Sequence, residues 1–265
     1  MEPRHLEIAQ ELMEEIDTGR YTPGAALPTE DQLMGRYGTS RNTIRRALQE
    51  LAGRGRIDTK QGSGSRVRSY KPTTHLASTL PGISDDERYT QYADRLKHEQ
   101  GLEPEQQLQV LVEPATGYLA SLLNLDPSDA AGFVVTRRCD RFVEGRLWER
   151  QLSYYPDHIA THTELMRPDD LPQGTSAVLA DLGYPYTSSW DVVGARMPSL
   201  RDSTLFGLGP GIPLLVHERM SYSGTTPVRF TKTLMPADRH QLLYAEGDIS
   251  PELVRDATDV SIFEH

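Results

Sequence analysis

The sequence predicts an α+β chain in two parts. A small amino-terminal unit of three short helices and a β-hairpin precedes a larger antiparallel sheet interleaved with helices. Three observations predict this. Apolar residues recur at helical spacing in three short blocks before residue 52. Glycines at 53 and 55 then give way to an alternating stretch, "RIDTKQGSGSRVRS", which turns at a Gly/Ser tip. Beyond residue 100, six strand-like runs follow one another with turn signals between them.

The first helix is expected over residues 4–18, where Leu6, Ala9, Leu12, Met13 and Ile16 make one apolar stripe that Gly19 and Pro23-Gly24 terminate. Thr29 opens a second helix, because its hydroxyl and the Gln32 side chain can satisfy each other's free amides in a capping box. Leu33 and Met34 face inward and Gly38 stops the helix. Ser40 caps a third helix, in which Ile44, Ala47, Leu48 and Leu51 form the buried stripe. Two short helices joined by a Gly-containing turn make a helix-turn-helix, and the hairpin packed beside it makes a wing.

Charge points to what this unit binds. The chain carries a formal net charge of -10, but residues 35–70 alone carry +7, against -6 before them and -11 after. A basic segment inside an acidic protein is the footprint of a small nucleic-acid-binding surface. The amino-terminal turns of the third helix present Arg41, Asn42, Thr43, Arg45 and Arg46 on faces away from the buried stripe. Arg can pair with guanine O6 and N7, Asn with adenine, and Thr with the thymine methyl, while further arginines neutralise phosphates. The competing reading is a solvated charged face on a helical hairpin. "GSGS" is not a phosphate-cradling loop, since no GKS/T or helix follows it.

"LPTEDQL", "SRNTIRRAL" and "DTKQGSGSRV" together resemble the winged helix-turn-helix of GntR-type bacterial transcription regulators over residues 4–69. The resemblance implies DNA contacts at Glu30, Ser40, Arg41, Asn42, Thr43, Arg45 and Arg46, and at Lys60, Gln61 and Gly62 of the wing. Many relatives carry Arg where this chain has Asp31. A carboxylate cannot pair with a phosphate, so Asp31 is left out of the contacts and a different half-site is expected.

A Ser/Thr/Pro/Gly-rich stretch then reads as a linker. The expected organisation is a DNA-binding domain at 1–69, the linker at 70–84, a second domain at 85–248 and an acidic tail at 249–265. "DDERYTQYADRLKHEQG" reads as a helix. Strands are expected in "QLQVLVEPA", "GFVVTRRCDRFV", "RLWERQLSYY", "SWDVVGARM", "PLLVHERMSYS" and "TPVRFTKTLM", with hairpin turns at "VEGR" and "SGTT". Helical pieces are expected at 118–123, 176–182 and 201–206.

The stretches "PATGYLASLLNLDPSDAAGFVVTRRCDRFVEGRLWERQLSYYP" and "LGPGIPLLVHERMSYSGTTPVRFTKTLMPADRH" resemble the UTRA effector-binding domain of the HutC subfamily, over residues 85–243. That resemblance implies a chorismate-lyase-like antiparallel sheet, a small-molecule effector and a homodimer. Members that bind phosphorylated amino sugars carry Arg-x-Arg on the first long strand, where this chain has Cys139 and Arg141. Gln151 replaces a glutamate, Thr175 and Ala177 replace a Ser-x-Tyr, and Arg229 and Met235 replace a glutamate and a tyrosine. Arg88 and Thr90, on the expected helix, complete the candidate effector contacts. Two carboxylates lost and an arginine gained predict a less hydroxylated ligand, with an acidic group held by Arg141 or Arg229.

Other classes are weighed against this reading. Cys139 is the sole cysteine, which excludes an intrachain disulfide and a Cys-rich metal site. "HIATHTE" sets His158 and His162 four apart near Glu164, but without an HExxH arrangement these read as surface histidines. No GxSxG occurs. No signal peptide or apolar span of bilayer length is read, so the expected location is the cytoplasm, away from any membrane. No catalytic residue, cofactor or metal is expected. The sequence predicts a ligand-responsive regulator, a repressor that binds double-stranded DNA as a homodimer on an inverted repeat. An effector-independent DNA-binding protein of plasmid-maintenance or architectural type stays open beside it, as does an enzyme with a DNA-binding arm.

Overall fold

The computed structural model describes residues 3–60, 64–68, 73–77, 97, 101, 103–126, 132–209, 211–245 and 249–250. The described residues are mixed α and β. They form two compact units, Met1–Lys71 with Met197–Pro213, and Pro72–Arg196 with Leu214–His265.

In the first unit, α1 (Arg4–Asp17), α2 (Glu30–Tyr37) and α3 (Arg41–Gly53) close around one core. Leu12, Leu33, Ile44, Ala47 and Leu51 are fully buried there. So is Ile8, which lies outside the stripe expected for the first helix. The capping box forms as the sequence requires: the Thr29 hydroxyl accepts from the Gln32 amide, and the Gln32 side chain accepts from the Thr29 amide. Gly38, at φ 58°, ends α2 in the left-handed conformation that a residue with a Cβ adopts only with strain. Ser40 accepts from the Thr43 amide at 3.3 Å and starts α3 two residues later. The wing is the antiparallel pair β1 (Ile57–Lys60) and β2 (Gly64–Val67). Ile57 and Val67 face each other and seal the core, while Thr59 and Ser65 share a hydrogen bond on the same strands.

The second unit contains a six-stranded antiparallel sheet in the order β4-β5-β6-β9-β8-β7. Its strands are β4 (Pro104–Pro114), β5 (Phe133–Val143), β6 (Arg146–Pro156), β7 (Ser188–Arg196), β8 (Leu214–Ser223) and β9 (Thr226–Pro236). All six fall on the runs expected from sequence. The "VEGR" turn has Glu144 at φ 50° and Gly145 at φ 72°, two consecutive left-handed residues that match the right-handed twist of the flanking strands. Helix α4 (Gly117–Leu122) packs with Leu123, Leu125, Val134, Met220 and Phe230 on one face of the sheet. Helices α5 (Asp157–Ala160) and α6 (Gly174–Asp181) pack with Val135, Tyr155 and Leu165 on the other. Helix α7 (Leu200–Phe206) lies in the segment that clusters with the first unit.

Two features depart from the sequence reading. Within the stretch expected to be a linker, β3 (Thr73–Leu76) pairs in parallel with β10 (His240–Leu243). The two strands are four residues each and lie more than 160 positions apart, so no local periodicity announces them. Asp157-His158, where no helix is expected from sequence, begins the short helix α5, in which the Asp157 carboxylate accepts from the Thr161 hydroxyl. His162 follows that helix at φ 62°. The two histidines therefore never share a helical face, and the i, i+4 metal geometry does not form. Of the helix expected at 85–101 only Lys97, which is helical and accepts from the Gly101 amide, and Gly101 are described; Arg88 and Thr90 lie outside the described residues, as do Gln61 and Gly62 of the wing tip.

Candidate functional site

Two surfaces carry the residues singled out from sequence, one in each unit. In the first unit, the start of α3 is exposed. Arg41 keeps 52% and Arg45 60% of its side-chain surface accessible, and Asn42 and Arg46 are exposed beside them. These guanidiniums are not idle. Arg45 Nε donates to both carboxylate oxygens of Glu30 at 3.0 and 3.1 Å. Arg41 pairs with Asp31 through Nη2 and lies 3.6 Å from Glu30 through Nε. The first turn of α2 thus supplies two acids that hold two arginines of α3 in place. Exposed ion pairs of this kind contribute about 0–1 kcal/mol, so a phosphate or a guanine edge can displace them. Ser40 and Thr43 share a hydrogen bond at 3.0 Å, which ties the Ser40 hydroxyl to the cap. Lys60 ends β1 opposite Gly64. The basic arms of the wing are anchored: Arg68 pairs with Asp58 at 3.1 Å, and Arg66 donates to the Gly24 carbonyl at 3.3 Å.

In the second unit, the strand register gathers the effector candidates. Directly paired residues of antiparallel strands share a face. Arg141 pairs with Glu149, Cys139 with Gln151, Gln151 with Thr233, and Ser153 with Thr231. By alternation, Arg141, Gln151, Arg229 and Met235 lie on one face, the one that α5 and α6 cover. Thr175 comes from the first turn of α6 and accepts from Arg229 Nη1 at 3.0 Å. Four strand residues and one helix residue distant in sequence therefore share one face.

Within that group the two arginines differ. Arg141 Nη1 pairs with Glu149 Oε1 and donates to Gln151 Oε1 at 3.2 Å. Arg229 is 6% exposed and donates to hydroxyls: Thr175, Tyr186 at 3.3 Å and Ser153 at 3.1 Å. It also lies over the Tyr155 ring, 5.8 Å from its centroid. Met235 is fully buried on the same strand.

Sequence reasoning missed Arg137, which the strand alternation with Cys139 and Arg141 could have revealed. It is buried and donates to the carbonyls of Leu165 at 2.7 Å, Arg167 at 2.5 Å and Asp169 at 3.0 Å. It pins the loop before α6, and burial lowers its pKa. Burial also pushes the Cys139 thiol up to about 11, so it is a protonated core side chain and not a thiolate at neutral pH.

Asp191 organises the far side of this face. Its carboxylate accepts from His217 Nε2 at 2.6 Å and from Arg219 Nε at 2.7 Å. Partial burial alone would raise its pKa, but those hydrogen bonds outweigh burial and hold it at about 2. The stabilisation this provides is complete above about pH 4 and drains away as the pH falls from the ordinary carboxylate value towards 2, a loss of about 2 kcal/mol. Asp191→Ala is expected to remove about 2–3 kcal/mol of stability near neutral pH and to flatten that acid limb, because it strands His217 and Arg219 together. Urea melts of both chains between pH 2 and 7 check this. Equal slopes against pH would contradict it.

Comparison with known proteins places these two surfaces. Residues 4–67 match the family of bacterial regulatory proteins of gntR type, and residues 99–241, more than half the chain, match the UTRA domain. The chain belongs to the UTRA-domain family, with a gntR-type helix-turn-helix in front of that domain. The histidine utilization repressor of Pseudomonas putida is 26% identical over 241 residues, 91% of this chain and 90% of that one. An HTH-type transcriptional regulator of Streptomyces coelicolor is 29% identical over 218 residues, 79% of each chain. The crystal structure of PhnF from Mycobacterium smegmatis superposes with a TM-score of 0.53 at 20% identity, covering 91% of this chain and 100% of that one. That likeness shows the fold. A GntR helix-turn-helix is a DNA-binding unit and a UTRA domain binds a small-molecule effector, so this chain is a DNA-binding transcription regulator. No helix among its described residues is long and apolar enough to cross a membrane.

Proposed function

We propose that this chain is a repressor that binds an inverted-repeat operator as a homodimer in the cytoplasm and releases it when the UTRA domain takes up a small molecule with an acidic group. The observation that carries the effector class is the setting of Arg229. A buried guanidinium is costly to hold, and this one is surrounded by hydroxyls that can rotate to accept from it or donate to an incoming anion. Thr175 stands in the first turn of α6, a helix whose amino terminus has no side-chain cap and no acidic residue in its first turn. Free amides and the positive end of the helix dipole favour an anion there. A carboxylate or phosphate at that point accepts bidentately from Arg229.

On this reading the regulator binds its effector and returns it unchanged. The effector shifts the chain between an operator-competent and an incompetent arrangement by its differential affinity, about 1–3 kcal/mol of coupling. Two copies of α3 then read two half-sites, with protein two-fold symmetry mirrored in the DNA. Immunoprecipitation of bound genomic fragments with footprinting, followed by a metabolite screen for release, tests this. Two chains per protected inverted repeat, released by an acidic metabolite recovered intact, is the expected outcome. Release only by a neutral polyhydroxylated sugar, or recovery of a converted product, would contradict it.

A further inference from the structure

A second cluster lies on the same sheet, at the corner where β3 and β10 meet β6, and borders the effector face through Glu149, whose Oε1 holds Arg141. His240 is 2% exposed and Glu149 4%, while His75 is partly accessible. The geometry fixes the state of His240. Its Nε2 lies 3.0 Å from the Trp148 carbonyl oxygen, which can only accept, so Nε2 carries the proton and Nδ1 presents its lone pair. That Nδ1 is 2.8 Å from His75 Nε2, and His75 Nε2 is 3.6 Å from Glu149 Oε2. The three donor atoms lie within 4.8 Å of one another.

We propose that His75, His240 and Glu149 form a binding site for one divalent transition-metal ion of the zinc class. Nitrogen and oxygen ligands at about 2.0–2.2 Å in a tetrahedron stand about 3.3 Å apart, and the separations of 2.8 and 3.6 Å bracket that value. Two imidazoles and a carboxylate suit zinc and its neighbours better than calcium or magnesium. The surroundings are those of a built site. The Trp148 carbonyl fixes the His240 tautomer, as outer-shell acceptors do for metal-bound histidines. The other oxygen of Glu149 takes the Arg141 guanidinium, which orients the carboxylate. Trp148 packs edge-on against His240 at 5.7 Å and donates to Thr73 at 3.3 Å, so the walls are fixed as well.

On binding, the metal takes the place of the proton between the two imidazoles. His75 then carries its proton on Nδ1, and the fourth position is left to water or a ligand donor. Arg141, and Arg239 stacked on Trp148 at 5.0 Å, repel a dication, so the affinity falls below that of the tightest structural zinc sites. A bound ion ties β3 and β10 to β6. Without one, the His75 and His240 imidazoles are hydrogen-bonded to each other beside the Glu149 carboxylate.

The full chain, stripped with a chelator, is titrated with Zn2+ against a chromogenic competitor, and with Co2+ while its visible ligand-field bands are recorded. The expected result is one equivalent per chain, with the intense bands of tetrahedral cobalt and a raised melting temperature. His75→Gln and Glu149→Gln are each expected to lower zinc affinity at least about tenfold and to abolish those bands. The surface control His158→Gln leaves both unchanged. Near-UV circular dichroism confirms that the variants fold. Should either be unfolded, the stoichiometry and cobalt spectrum of the parent chain decide. Failure of the parent chain to take up a stoichiometric equivalent overturns the proposal, as does an equivalent that survives in both folded variants.

Discussion

Arg41→Ala weakens binding of the full chain to its operator by roughly five- to 150-fold, about 1–3 kcal/mol, and relaxes base preference at one position of each half-site. The expectation follows from where the side chain sits. Arg41 is the first residue of α3, exposed, on the face away from Ile44 and Ala47. Its present partners, Asp31 and Glu30, are exposed or half-exposed acids that a base edge can displace at little cost. Truncation removes the bidentate fork and also leaves the Asp31 carboxylate facing phosphate without Arg41, while Glu30 keeps Arg45. Asp31→Asn separates the two contributions. It releases Arg41 and deletes one negative charge, so operator affinity rises several-fold, with the rise shrinking as salt increases. Fluorescence anisotropy against single-base variants of the half-site, at two salt concentrations, measures both. A loss in Arg41→Ala that is uniform across all sequences and vanishes at high salt would make Arg41 a phosphate contact and remove it from base readout.

Arg229→Met leaves operator binding intact in the absence of effector and raises the effector concentration needed for release by roughly 30-fold or more, about 2 kcal/mol. Methionine fills a similar volume, so the sheet face stays packed. What disappears is the charge, together with its bonds to Thr175, Tyr186 and Ser153. Isothermal titration of the effector into both chains, paired with release of a labelled duplex, is the measurement. Unchanged effector affinity in a folded Arg229→Met chain would move the anion contact elsewhere on the face.

How much of this was legible in the sequence depends on the range of the signal. The capping box at Thr29, the Ser40 cap and the buried stripe of α3 are local, and each is where the residues place it. The six long strands were readable because they alternate or run apolar over nine to eleven residues between clear turns. Resemblance singles out positions 141, 151, 229 and 235 one at a time. Their common face comes from strand register, which a single sequence does not spell out. Ion pairing was the least legible property. The sequence alone excludes the acid Asp31 from the DNA contacts, and the structure gives it a role as the holder of Arg41. The pairing of β3 with β10, and with it the meeting of His75, Glu149 and His240, joins residues from three distant stretches, none of which forms a motif.

The central claim is that the amino-terminal turn of α3 reads base edges, although its arginines rest against acids of α2 when no DNA is present. Comparing the affinity of the full chain for its footprinted inverted repeat with that for a shuffled duplex of the same composition, at one physiological salt concentration, tests this most directly. The account predicts a preference of roughly a thousandfold or more for the repeat. Equal affinity for the two duplexes, or retention of neither in the absence of effector, would contradict it.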